Sequence, residues 1–563
     1  CWDGDRFWFL QARPISTLAG KHVYSNRLVA DMSPGLIKPL LWSTNTLGMT
    51  CNVLGPVFDG LLGPTGLDYS RLARRIHSRL YTDMTILGDL FVRLGMPPNS
   101  FEIMARDETG HRPSFKPNLR QLVKMRRGIP FLWRHGRVAK EVRSFLRDQN
   151  AALEEFRGRD WRGTPSPELL DAAGRLAELH GRSQWYIFLV ALNSMVRKRI
   201  LDRMVRRHAP ERDPADLIRG LAGLKALEPN RRLQELAAMA GRLPAEERAC
   251  LSAESCEAIE EILGRSAEGR RLLEGFEAFQ NDFGFLSANG TDISGASWAE
   301  KPALVWRLLA RPQESHDLRP AEEAVRIRRR SRRGVRAALH PAQRGFFSRL
   351  LKSTVVYLNL RERVSLLLSE DAYEMRRVFL ALGDRLVNEA GFSTREDVFY
   401  LFLDELKGLV AGDTHAAEAR CRVAERKDEM ERDAGIRPPD TLCGDRIQAA
   451  PILADSPVGY LVGIGGSSGI VEGRARIVAD PLQAPPDLGP GDILVVPFTD
   501  VGWTPLFAGI SGIVAETGGQ LSHTAIVARE YNLPAVVSVP GVMTKLRDFQ
   551  PITVDGQSGR VFL

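Results

Sequence analysis

The chain has 563 residues and a mass of 62.6 kDa, too much for one hydrophobic core, which predicts two to four domains. Hydrophobic residues make up 44% and charged residues 26%, an ordinary globular balance, and no apolar run of about 18 residues is present to form a membrane-spanning helix. The formal charge of +8 is uneven: from Pro457 onward there are 6 Lys/Arg against 9 Asp/Glu, a net of −3, so the preceding residues carry about +11. Its densest basic run, Arg326–Arg336, has no interleaved aromatics, which favours a solvated helix face over a nucleic-acid interface. Six scattered cysteines without CxxC spacing argue for reduced thiols and a cytoplasmic setting, against a disulfide framework or a zinc site.

In chain order, residues 1–17 read as a strand already under way. Phe7 and Phe9 alternate there, and no initiator Met precedes them, so the chain is expected to be the C-terminal portion of something longer. Gln11 and Arg13 share one face of that strand, and a guanidinium suits phosphate. Residues 18–450 are expected to be mostly helical. Asp31–Ser43, punctuated by Pro34, Gly35 and Pro39, reads as an ordered loop leading into helices. Leu119–Arg147, Leu169–Arg207 and Leu217–Leu243 repeat apolar residues at three- and four-residue spacing. Phe279–Pro302 is a Gly-, Ser- and Asn-rich interruption, expected to be a functional loop. In Arg395–Leu406, Phe399, Leu401, Phe402 and Leu406 are the expected core contacts.

From about Ala450 the composition shifts to Gly, Val, Ile and Pro. Strands are expected at Arg474–Val478, Ile493–Pro497, Gly512–Ala515, Ala535–Val539, Ile552–Val554 and Val561–Leu563, with short helices around Thr504–Ala508 and Ser522–Tyr531. That predicts a compact α/β domain of about 110 residues, tethered by a flexible stretch, Leu453–Ser468.

The chemistry concentrates in Gly518–Val539. Gly518 and Gly519 open a turn, Ser522 offers its oxygen as a helix N-cap, and His523 takes the first helical position. Backbone N–H groups and the helix dipole favour negative charge there. A neutral imidazole is a good nucleophile near pH 7 and forms a labile N–P bond, so His523 is the candidate phosphoryl carrier. The Gly-Gly turn lets backbone approach the phosphate. Ser522 and Thr524 can donate to it, and Arg529 is a candidate counter-charge from a nearby surface. Glu516 either orients the imidazole or ends a strand. Gly473, Arg474 and Arg476 form either an exposed strand face or electrostatic help during docking.

GGQLSHTAIVAR (Gly518–Arg529) resembles the phosphohistidine signature of the phosphoenolpyruvate-utilising, pyruvate phosphate dikinase-like family. Ser467–Val478, Pro490–Asp500, Gly502–Phe507, the stretch EYNLPAVVSV and Thr553–Val561 match the same swivelling domain in the family's order. LQARP near the start resembles the final strand of that family's ATP-grasp domain, in which Gln11 and Arg13 would face nucleotide phosphates and metal. Phe279–Pro302 lies where relatives carry a Gly-His-Arg stretch and a later Trp; Trp298 fits, whereas Phe285 and Leu286 replace the polar pair. The resemblance implies a multidomain α and α/β protein: an ATP-grasp remnant at 1–17, a helical acceptor-binding domain at 18–450 and an α/β phosphohistidine domain at 451–563. It implies ATP and Mg2+ as cofactors, held mostly by an ATP-grasp domain of the same chain or a separate subunit. It implies (pyro)phosphoryl transfer through His523 to an acceptor, with AMP and phosphate released. No pyruvate-binding barrel is expected after Leu563, an architecture that looks most like that of the rifampin phosphotransferases, and a hydroxyl-bearing small molecule is the expected acceptor. Pyruvate bound by a separate chain and a non-catalytic phosphocarrier or regulatory role are the alternatives. Neither membrane nor nucleic acid is an expected partner.

Overall fold

The computed structural model describes residues 22–26, 29, 33, 35–98, 100, 128, 130, 133, 138–221, 225, 228–251, 255–310, 319–436, 438–439, 441–444, 459–485, 487–507, 509–520 and 522–563. Gln11 and Arg13, with the whole expected strand at 1–17, lie outside these residues. The described chain is mostly helical, followed by a sheet-containing C-terminal domain. Among the described residues no helix is long and apolar enough to cross a membrane.

Two long helices build the helical body, α2 (Ser166–His208) and α5 (Pro341–Ala390); helix α1 is Ala139–Leu153, α3 is Ala267–Phe283 and α4 is Arg319–Ala338. Prolines stand at the first turns of both long helices, and α5 ends at Gly391 in the left-handed conformation, the expected start and stop chemistry. The pair is antiparallel: Ser166 bonds Glu389 near one end, Gln149 of α1 bridges Leu179 to Asp371 in the middle, and Arg197 bonds Ser353 near the other. Leu169, Leu176, Leu189, Val364, Met375 and Phe379 pack between them. Leu201 and Val205 continue the α2 stripe into a second core with Val335 and Phe347.

Several expectations change here. Of the expected helix Leu119–Arg147, the continuous described part begins at 138 and joins α1. Leu217–Leu243 is not one helix but a short 3-10 turn, Pro214–Ile218, and a helix, Glu228–Ala240. The ordered loop leading into helices becomes helix already at Pro39, and Pro39–Leu62 runs on through two π-helical segments, Trp42–Thr46 and Thr50–Leu54. Phe402 is partly exposed under the Arg426 guanidinium, whereas Phe399, Leu401 and Leu406 are fully buried. A small antiparallel sheet escaped the sequence reading because its strands are so short. Its order is β2 (Ala73–Ile76), β3 (Arg79–Asp83), β1 (Val23–Ser25) and β4 (Thr441–Cys443), so it joins the two ends of the helical body.

The C-terminal sheet has eight strands: β5 (Tyr460–Val462), β6 (Ile464–Ser467), β7 (Ile470–Ile477), β8 (Asp492–Val496), β9 (Gly512–Ala515), β10 (Ala535–Val537), β11 (Pro551–Asp555) and β12 (Arg560–Phe562). Their order is β5-β12-β11-β7-β8-β9-β10-β6, with β7 to β10 parallel. The parallel strands β8, β9 and β10 are buried at every position, as continuous apolar strands in a covered sheet should be. β5 and β6 occupy opposite edges yet are separated by Gly463 alone, so the sheet curls until its edges meet. A side chain at Gly559 would run into the Gly463 carbonyl there. The described part of the expected tether Leu453–Ser468 is therefore strand, not flexible linker; 453–458 lie outside the described residues.

Candidate active site

Helix α6 (His523–Glu530) starts as its sequence demands. Ser522 is extended at the N-cap and its Oγ accepts from the Ala525 N–H at 3.4 Å. Gly518 has φ +120°, and a Cβ there would press on Ser522 Oγ at 3.0 Å, so this turn needs glycine. The Gly519 carbonyl accepts from Ser522 N–H at 2.9 Å. His523 thus emerges, partly buried, where the first turn's N–H groups point outward.

One ring nitrogen of His523 is already engaged. Nε2 lies 3.0 Å from Thr504 Oγ1, and that hydroxyl donates to the Val501 carbonyl at 2.7 Å. Having spent its only proton, the hydroxyl accepts, so the imidazole carries its hydrogen on Nε2 and its lone pair on Nδ1. Burial pushes the His523 pKa below the ordinary value; the carboxylates of Glu362 and Asp500 pull it up and Arg361 pushes it down. The ring is neutral at pH 7.

Arg361, Glu362 and Asp500 were not singled out in the sequence. Glu362 is 3% exposed in the middle of α5 and accepts from Arg361 Nη2 at 2.7 Å. A charged pair inside an Arg- and Leu-rich helix carries no signal of its own; only the packing of α5 beside α6 brings it to the imidazole. Asp500 Oδ2 accepts from the Gly290 N–H at 2.8 Å, and Trp503 Nε1 donates to the Ala288 carbonyl at 3.0 Å. Gly502 passes so close to the Ser287 carbonyl that a Cβ would overlap it. Residues 287–290 of the helical domain therefore seat the 500–504 segment that holds His523. Part of the expected loop, Phe279–Phe283, is the end of α3. Trp298 is completely buried, stacked with Phe279 at 5.8 Å between ring centres, and Leu286 is 1% exposed in the same core. Both are packing residues.

Other candidates fall elsewhere. Thr524 is buried and pairs with Thr499 Oγ1 at 2.7 Å, so it fastens the helix inward instead of reaching a phosphate. Arg529 is 2% exposed and not on a surface; Nη2 donates to the Gln520 carbonyl at 2.7 Å, bracing the turn before His523. Burial lowers its pKa to about 10. Glu516 accepts from Gly541 N–H at 2.9 Å, holding the next turn. Arg476 is buried between Asp487 and Asp492, and Arg474 also bonds Asp492, so both arginines brace β7 against β8. Gly473 is there because a Cβ would meet the Gly491 carbonyl.

A family model described as the mobile domain of PEP-utilising enzymes matches residues 488–559. The C-terminal unit is a PEP-utilising mobile domain. A second model, the fourth domain of rifampicin phosphotransferase, matches residues 186–362, the stretch that ends on Glu362. The chain is similar to the rifampicin phosphotransferase of Streptomyces sviceus, 31% identical over 317 residues, which are 53% of this chain and 35% of that protein. It is similar to the Bacillus subtilis enzyme of that name, 37% identical over 188 residues, 33% of this chain and 21% of that protein. Chondramide synthase of Chondromyces crocatus is 30% identical over 427 residues, 69% of this chain but 11% of that protein. The matched region thus spans about a third of the Streptomyces sviceus relative's length. In the mobile domain, His523 faces the helical region through Arg361 and Glu362.

Proposed function

We propose that the chain is the acceptor and carrier part of an ATP-dependent, dikinase-type phosphotransferase. His523 receives (pyro)phosphoryl from ATP, AMP and phosphate are released, and the remaining phosphoryl passes to a hydroxyl-bearing small molecule. The observation that carries this reading is the placement of a neutral, partly buried imidazole at a helix N-terminus, facing the partly buried Arg361 and the buried Glu362 of another domain. The likeness to enzymes named rifampicin phosphotransferase supports it.

In the transfer step the acceptor oxygen attacks phosphorus, the O–P bond forms and the N–P bond of His523 breaks. The acceptor's proton passes to the Glu362 carboxylate, and Arg361 offsets charge on the phosphoryl oxygens. Positioning and charge neutralisation are what such a transfer requires. Among the described residues no group of three or more His, Cys, Asp or Glu is arranged to hold a metal ion. ATP and Mg2+ are assigned mostly to an ATP-grasp domain, to which this chain would contribute Gln11 and Arg13 toward the nucleotide phosphates, and no step here runs through the metal.

The test is labelling from β-labelled ATP. The protein together with its ATP-grasp domain, in the same chain or as a separate subunit and without which it is expected to be inactive, should acquire acid-labile, alkali-stable label that is absent in His523→Ala; label persisting in that variant sinks the proposal. Rifampicin, hydroxylated aromatics and pyruvate are then compared for stimulation of AMP release. Stimulation by pyruvate alone would favour the phosphoenolpyruvate synthase-like alternative. Labelled His523 that no acceptor discharges would favour a carrier or regulatory module, a reading encouraged by the recurrence of 69% of this chain within a far larger synthase.

A further inference from the structure

Helix α2 reaches across to the turn that carries His523 at one point. Lys198 is only 6% exposed. Its Nζ donates to Asp202 Oδ2 at 2.6 Å, one helical turn on, and to Gln520 Oε1 of the mobile domain at 3.2 Å. Gln520 lies between Gly519 and Ser522 in the turn preceding His523, and its main-chain carbonyl accepts from Arg529 of the same domain. The turn is therefore held from two sides, by Arg529 within the mobile domain and by Lys198 from the helical domain.

The two grips differ in kind. Arg529 moves with the mobile domain, so its bond persists wherever that domain sits. The Lys198 bond exists only while the domains are docked as described. It runs from a cation to a neutral side-chain oxygen, as do the bonds from Arg219 to the Asn532 amide and the Ser468 hydroxyl across the same interface. Such bonds have direction without the depth of a buried ion pair, which suits a contact broken in every cycle. Asp202, one helical turn on, aims the buried Lys198 side chain.

We propose that Lys198, oriented by Asp202, is a positioning residue that registers the His523 turn on the helical domain. It acts in phosphoryl delivery to the acceptor and must release Gln520 for loading from ATP. This rests on the carrier reading above.

Two variants of the native protein test it, Lys198→Met and Gln520→Glu, with two readouts. Exchange of the Gly290 N–H reports docking directly, because that group bonds Asp500 across the interface, in a contact separate from the Lys198 bond. The rate of label uptake by His523 from β-labelled ATP reports loading. Lys198→Met should speed Gly290 exchange on the order of tenfold, the worth of one charged hydrogen bond. Gln520→Glu turns the contact into an ion pair; it should slow both Gly290 exchange and label uptake several-fold at low salt, with recovery at high salt. Gln520 is partly exposed, so this variant decides the matter even if Lys198→Met misfolds. Exchange and uptake in Gln520→Glu indistinguishable from the unmodified protein at low salt would overturn the proposal. Failure of the unmodified protein to take up label would remove the carrier reading itself, whatever Gly290 exchange shows, and the delivery role with it.

Discussion

Thr504 Oγ1 sits between the Val501 carbonyl, 2.7 Å away, and His523 Nε2, 3.0 Å away. A hydroxyl so placed dictates which imidazole nitrogen holds the proton, and it does so from a segment seated on the helical domain through Asp500 and Trp503. The tautomer of the His523 imidazole is thereby tied to interdomain docking.

Replacing Thr504 by Val keeps the shape and removes the acceptor for Nε2–H. Label uptake by His523 should fall on the order of tenfold, one hydrogen bond's worth. Nitrogen NMR of the imidazole should show a mixed tautomer where the unmodified protein shows one. An unchanged tautomer would refute the assignment.

Glu362→Gln removes the carboxylate that raises the His523 pKa. The imidazole should then titrate lower still, measurable by proton NMR of its ring. Loading should survive while discharge to the acceptor is lost, since proton acceptance is assigned to this group. Equal loss of both half-reactions would instead mark Glu362 as structural.

Gly502→Ala should prevent close docking on the Ser287 carbonyl. The variant should fold, since the overlap lies between domains, and should take up label while failing to discharge it. A crystal structure or Gly290 exchange would show the domains apart. Normal discharge would mean that the described interface is not the delivery position.

His180 is 1% exposed, its ring nitrogens have no hydrogen-bond partner among the described residues, and burial lowers its pKa to about 4 from an ordinary 6.5. The unfolded chain therefore binds a proton that the fold refuses between those values. Its contribution to stability is complete above pH 6.5 and is lost as pH falls toward 4. Compared with His180→Gln, the unmodified protein should lose on the order of 3 kcal/mol across that window in denaturant titrations. Asp371, pushed up to about 7 by burial, titrates in the opposite sense and is present in both proteins, so the difference isolates His180. Parallel pH profiles would show that His180 stays neutral or becomes solvated.

The local chemistry around His523 was legible in the sequence because it depends on neighbours along the chain. Ser522 caps, Gly518 turns, and the apolar run Ala525–Ala528 packs on a sheet whose strands β8 to β10 read as runs dominated by Val, Ile, Leu and Ala. What failed was whatever needed a partner far away. Ile464–Ser467 is Gly- and Ser-rich and reads as a tether, yet becomes an edge strand because β10 offers it a ladder. Arg476 looks like an exposed strand residue until Asp487, Asp492 and Phe549 enclose it. Trp298 matched a pattern of acceptor residues and proved to be core.

The sequence by itself determined that a histidine stands at the start of a Ser-capped helix, and that this helix belongs to the C-terminal α/β unit, since capping, turn geometry and periodicity act over a few residues. Tertiary structure alone decided what surrounds that histidine and its turn. Glu362, Thr504 and Lys198 lie 161, 19 and 325 positions from His523 in the chain. No spacing rule links them; they meet because α2 and α5 pack side by side and loop 287–290 seats the mobile domain against them.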